Sequence, residues 1–175
     1  MKRADLEHIL RAAGTIASVH QIIVIGSQSI LGKYPEAEGI LITSMEADIY
    51  PPENLAMSDV IDGCIGELSP FHEQFGYYAQ GVGPETAVLP TGWESRLVKV
   101  CNENTNGIEG LCLHPLDLAV SKLVSYREKD KLFLKELLEK KYVTYDKVSH
   151  LIRKLENENI DEVLERWAGV KAQTL

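Results

Sequence analysis

Four consecutive β-branched residues, Ile22-Ile23-Val24-Ile25, run straight into Gly26-Ser27. An unbroken apolar run of this kind suits a strand buried on both faces of a sheet. Gly26 lets the backbone turn sharply at the strand's end, and Ser27 can cap a helix that follows. A strand–Gly–Ser–helix turn leaves backbone N–H groups without partners at the helix N-terminus, a natural seat for a phosphate. Taken alone, the same turn is an ordinary strand-to-helix connection. What changes its meaning is SMEADIYPP, a second stretch of strand character that stops at Pro51-Pro52. Glu46 and Asp48 stand two positions apart, so on a strand they share a face. Acids are depleted in strands, and a pair on one face favours a site over a solvated surface. Two carboxylates beside a phosphate seat are what a divalent cation needs to hold a nucleoside triphosphate.

The order strand, Gly-Ser, helix, spacer, acid-x-acid resembles the minimal nucleotidyltransferase motif of the polymerase β-like superfamily. Two further segments, LPTGWESRLV (Leu89–Val98) and HPLDLAVSKLVSYREKD (His114–Asp130), are similar to those of a bacterial branch related to abortive-infection toxin nucleotidyltransferases. The resemblance implies transfer of a nucleoside monophosphate from NTP to an acceptor hydroxyl, with Mg²⁺ or Mn²⁺ as cofactor; the alternative is a catalytically inactive nucleotide-binding or protein-interaction member of the same fold. It assigns Glu46 and Asp48 to the metal and to catalysis, and Gly26, Ser27, Lys122 and Arg127 to the nucleotide. Lys122 and Asp130 are carried over as catalytic from a K-x-x-x-x-R-x-K-D arrangement. By composition alone that segment is an ordinary charged helix end. Lys122 and Lys129 would share a face on one continuous helix. Asp130 would anchor Arg127 or Lys129, or act on the incoming hydroxyl.

The chain departs from the family pattern at three points. The first acid is Glu46 where Asp is usual, and Tyr50 stands where some relatives carry another acid. The family's third carboxylate comes from a later strand; Asp62, Glu67, Glu85 and Glu94 are all candidates, and none has a decisive setting.

With 175 residues the chain can build one domain with a real core. Residues 1–113 read as an α+β nucleotidyltransferase-like core with a mixed sheet and flanking helices, and 114–175 as a helical region packed on it. No apolar run reaches membrane-spanning length, and the amphipathic MKRADLEHIL lacks a signal peptide's core. Three cysteines without C-x-x-C spacing read as free thiols, which points to the cytoplasm. A formal net charge of −8 argues against general nucleic-acid binding but leaves room for a local basic patch. The acceptor is therefore open among tRNA, a protein and a small molecule. A homodimer through the C-terminal helices and an antitoxin are the candidate protein partners. No Walker A, G-x-S-x-G or H-E-x-x-H sequence occurs.

Along the chain, Leu6, Ile9, Leu10 and Ala13 predict an amphipathic helix. Lys33–Gly39 reads as a loop and Glu53–Ile61 as a helix, with breaks at Gly63 and Gly66. Ser69-Pro70 reads as an N-cap with proline at the first helical position. Tyr77–Val82 reads as a strand, Glu85–Leu89 as an extended piece, and Arg96–Val100 with Gly110–Leu113 as a hairpin. Four helices follow, with stripes on Leu116, Val120 and Leu123; on Phe133, Leu137 and Leu138; on Val148, Leu151, Ile152 and Leu155; and on Ile160, Val163, Leu164 and Trp167, the last behind an Asn159–Glu162 capping box. His72 reads as a structural histidine.

Overall fold

The computed structural model describes residues 1–174. Five strands, β1 (Gln21–Ile25), β2 (Glu46–Tyr50), β3 (Tyr78–Gly81), β4 (Val98–Val100) and β5 (Glu109–Cys112), form one mixed sheet in the order β3-β2-β1-β5-β4. The β-branched run is thus the central strand, and Ile22 to Ile25 are all buried. β1 runs parallel to β5 and antiparallel to β2, while β2 runs parallel to β3. The predicted hairpin is present: β4 and β5 pair antiparallel, joined through a 3₁₀ turn over Glu103–Thr105.

Register decides what each face carries. Ile25 pairs with Asp48 and Ile23 with Tyr50, so Glu46, Asp48 and Tyr50 share a face with Ile23 and Ile25. Val24 pairs with Ile49 and with Cys112, which puts those residues on the opposite face. Helices cover that opposite face: α1 (Arg3–Ala17), α2 (Ile30–Lys33) and α3 (Met57–Ile65). Gly110 of β5 has no room for a Cβ because Leu10 of α1 lies against it. α4 (Pro70–Phe75) follows, capped by Ser69, whose hydroxyl accepts from the His72 N–H at 3.2 Å with Pro70 at the first helical position.

Four helices close the chain: α5 (Pro115–Ser125), α6 (Glu128–Glu139), α7 (Tyr145–Ile152) and α8 (Ile160–Thr174). They share one hydrophobic cluster with the sheet and α1, from Leu6 through Ile49 and Leu118 to Trp167 and Val170. Trp167 is fully buried, stacked 5.6 Å from Tyr145 and donating its indole N–H to the Tyr145 carbonyl at 3.1 Å. Arg166 of α8 donates to the carbonyls of Leu123 and Val124 at 3.0 and 2.8 Å, capping the C-terminus of α5. Its guanidinium also sits 5.1 Å over the ring of Tyr126.

Several local expectations shift. Ser27 caps nothing: Gly26 is the cap position, and Ser27–Ser29 form a 3₁₀ turn ahead of α2, in which Ser29 donates to the Gly26 carbonyl at 2.8 Å. Lys33 closes α2 rather than opening a loop. α3 starts at Met57, not Glu53, because Pro51 and Asn54 accept turn hydrogen bonds first; it then runs through Gly63 and ends at Gly66. Pro84–Thr86 is a 3₁₀ turn, and Arg96 belongs to another, Trp93–Arg96, rather than to β4. Leu155 lies beyond the end of α7 yet is still buried. Lys122 and Lys129 do not share a helix. Tyr126, at φ 48° in the left-handed region, ends α5, and the chain turns into α6.

Candidate active site

The acid-bearing face of the sheet is not covered by α1 to α3. It forms one wall of a cleft of about 740 Å³, with α5 and the start of α6 forming the other. That volume is in the range of small-molecule and cofactor sites. Gly26, Ser27, Glu46, Asp48, Lys122, Arg127 and Asp130 all line it. Residues far apart in sequence therefore meet in one place.

The sheet wall is built by alternation. On β2, Glu46 and Asp48 face the cleft while Ala47 and Ile49 are fully buried on the helical face. The Asp48 carboxylate lies over Gly26, where a Cβ would overlap its Oδ2. Gly26 holds φ 67°, so both its backbone and its missing side chain are required. Glu46 and Asp48 are close enough to hydrogen bond. Burial, then repulsion from Glu46, pushes the Asp48 carboxyl up to about 7. Lys122 and Lys129 pull in the opposite direction across the cleft.

Strand β3 supplies two residues that the sequence reading did not assign to the site. Its parallel register sets Tyr78 opposite Glu46 and Gln80 opposite Asp48. The Tyr78 hydroxyl donates to Glu46 Oε2 at 3.0 Å. Burial and that bond push the Tyr78 phenol up to about 12, so it stays a donor. The Gln80 amide, with its nitrogen turned to the acids, donates to Glu46 Oε1 at 3.2 Å and to Asp48 Oδ1 at 3.3 Å. The two-residue alternation of Tyr78 and Gln80 was visible in the sequence; their facing the acids depends on the β2–β3 pairing.

The helical wall is basic. Lys122 is buried, with its ammonium 2.9 Å from Asp130 Oδ1 and 4.5 Å from the Phe133 ring centroid. Burial holds its pKa below the usual lysine value, against the opposing pull of Asp130. Asp130 is 3% exposed, and its other oxygen accepts from the Arg127 backbone N–H at 3.1 Å. Both its oxygens are thus engaged, and its reach is to Lys122 and to the Arg127 main chain. Lys129 and Arg127 complete the positive wall.

None of Asp62, Glu67, Glu85 and Glu94 lines the cleft. Asp62 points to the other side of β3, accepting from the Gly81 N–H at 3.1 Å. Among the described residues no group of three His, Cys, Asp or Glu has a metal-holding arrangement. His72 is structural as read, accepting from the Leu68 N–H at 3.1 Å with its ring 4.6 Å from that of Tyr78. All three cysteines are free.

A mixed sheet with a Gly-Ser turn beside a same-face acid pair, opposed by a basic helical wall, is the frame of a nucleotidyltransferase. The chain belongs to the family described as Nucleotidyltransferase of unknown function (DUF6036), which it matches over residues 4–173. No curated protein and no solved structure matches it. Among the described residues no helix is long and apolar enough to cross a membrane.

Proposed function

We propose that this cleft transfers a nucleoside monophosphate from an NTP to an acceptor hydroxyl. The observation that carries the reading is the opposition of charge: Glu46 and Asp48 on the sheet face Lys122, Arg127 and Lys129 on the helices across one nucleotide-sized cleft. Glu46 and Asp48 fit a divalent cation, because two converging carboxylates that already repel each other gain most from a positive charge between them. Bound there, Mg²⁺ or Mn²⁺ would supply charge neutralisation for the phosphates and polarisation of the acceptor hydroxyl. Gly26 and Ser27 offer backbone N–H groups to the phosphates, and Lys122 with Arg127 and Lys129 offsets their charge. Asp130 is a positioning residue that holds Lys122 in the wall. The acceptor oxygen bonds to the α-phosphorus, the bond from that phosphorus to the β-phosphate's oxygen breaks, and pyrophosphate leaves with the electron pair. The hydroxyl proton passes to water.

The acceptor is a tRNA, a protein or a small molecule. The net charge of −8 restricts a tRNA to the local basic wall. The toxin-like segment His114–Asp130 supports a toxin–antitoxin role in the cytoplasm, with an antitoxin as partner. A homodimer is the other candidate assembly.

One observation favours a second reading, a nucleotide binder without catalysis: β3 presents Gln80 opposite Asp48, and the four candidate third acids lie outside the cleft. Incubation with α-labelled NTPs, Mg²⁺ and total RNA, protein or metabolite acceptors separates the two. The enzyme reading expects label transferred to one acceptor class and lost in Asp48→Asn. NTP- and Mg²⁺-dependent thermal stabilisation without transfer to any acceptor would replace it with the binder.

A further inference from the structure

We propose that Gln80 is the third oxygen ligand of the cation site, an amide that donates to the acid pair when no cation is bound and turns its carbonyl oxygen inward when one is. The inference rests on the cation reading of Glu46 and Asp48 above and deepens it. Three observations carry it. The β2–β3 register puts Gln80 directly opposite Asp48 and on the same face. The end of its side chain stands 3.2 Å from Glu46 Oε1 and 3.3 Å from Asp48 Oδ1, so it touches both carboxylates at once. Of the other two oxygens, Glu46 Oε2 accepts from Tyr78, and Asp48 Oδ2 lies toward the Gly26 turn. A cation held by Glu46 Oε1 and Asp48 Oδ1 would have the end of Gln80 within reach to add an oxygen to its shell.

The chemistry of an amide explains why this position is not a carboxylate. Its nitrogen and oxygen are nearly the same size, so a half-turn about the last side-chain bond exchanges two donors for an acceptor without moving the chain. With the nitrogen inward, Gln80 hydrogen bonds to both acids and offsets their repulsion. With the oxygen inward, it offers a hard, neutral ligand of the kind that magnesium and manganese accept. A third carboxylate would serve only the second state and would add repulsion to the first. β3 is an edge strand and Gln80 is exposed toward the cleft, so the acid pair sets the orientation of the amide, and a cation bound to that pair would reverse it.

The test is direct Mn²⁺ titration of the full chain by electron paramagnetic resonance, with and without a non-hydrolysable NTP. The parent is compared with Gln80→Leu, Gln80→Glu and Asp48→Asn. Losing the carbonyl oxygen in Gln80→Leu is expected to weaken Mn²⁺ binding by about tenfold or more, the scale seen when groups supporting a metal site are removed. Gln80→Glu is expected to bind Mn²⁺ more tightly than the parent, while its cation-free form melts lower than the parent and recovers on adding Mn²⁺. A spacer that merely shapes the sheet would give losses in both variants, so that result overturns the proposal. Unchanged Mn²⁺ affinity in Gln80→Leu overturns it as well, while the acid pair keeps its cation. If the parent binds no Mn²⁺ even with nucleotide, the cation reading of Glu46 and Asp48 falls and takes this one with it.

Discussion

Asp48 is the residue on which most of the site's electrostatics converge. Its carboxyl titrates at about 7 instead of the ordinary 3.8, because it is buried and close to Glu46. The folded protein thus holds a proton that the unfolded chain releases. Stability falls as pH rises through the window between those two values and levels off above it. Asp48→Asn removes both the repulsion and the titration. Without metal, the variant should melt at or above the parent temperature at pH 7.5, with the gap closing toward pH 5, and it should lose Mg²⁺-NTP stabilisation. A cation-free variant melting well below the parent at pH 7.5 would make Asp48 a structural residue. Cation binding in the parent should strengthen as pH rises through about 7, since metal and proton compete for the same oxygens. Asp130 has a buried cation, Lys122, as its partner. Asp130→Ala leaves Lys122 without its counter-charge, and breaking one side of such a pair costs about 3–5 kcal/mol. Urea unfolding should record that loss, together with weaker nucleotide binding.

Among the elements, the turn after β1 leaves little room for change. Gly26 combines φ 67° with the Asp48 carboxylate directly overhead. Gly26→Ala adds left-handed strain and pushes Asp48 out of line, so a loss of about 2 kcal/mol or more is expected in chemical denaturation. Nucleotide-dependent stabilisation should fall with it. What the sequence revealed here was local: the β-branched run, the glycine at its end, the alternation of Glu46 and Asp48, and the Ser69-Pro70 cap each depend on a few adjacent residues. What it concealed was pairing and bending. Tyr78 and Gln80 join the site only because β3 lies beside β2 in one register, a property of two distant segments. Lys122 and Lys129 looked like one helical face because nothing about a tyrosine announces a left-handed residue. Yet Tyr126 takes that conformation and divides α5 from α6. The start of α3 moved for a similar reason: the turn after Pro51-Pro52 uses residues that a periodicity count would give to the helix.

At the scale of the molecule, the two walls of the cleft come from different halves of the chain. The basic wall is set by the turn at Tyr126, and that turn is held from behind. Arg166 binds the last carbonyls of α5 and covers the Tyr126 ring, although it does not line the cleft. Arg166→Ala should cost about 1.5–3 kcal/mol for the lost charged hydrogen bonds. It should also speed amide hydrogen exchange at the α5–α6 junction and weaken nucleotide binding from a distance. Unchanged exchange at that junction would show that the turn stands without its brace. The arrangement also sets an order in time. During synthesis Glu46, Asp48 and Gln80 emerge first, Lys122 and Asp130 follow, and Arg166 comes only after all of them. A nascent chain would carry every cleft residue before the brace that fixes the basic wall, so nucleotide capture would be a late event in its making, timed by the arrival of α8.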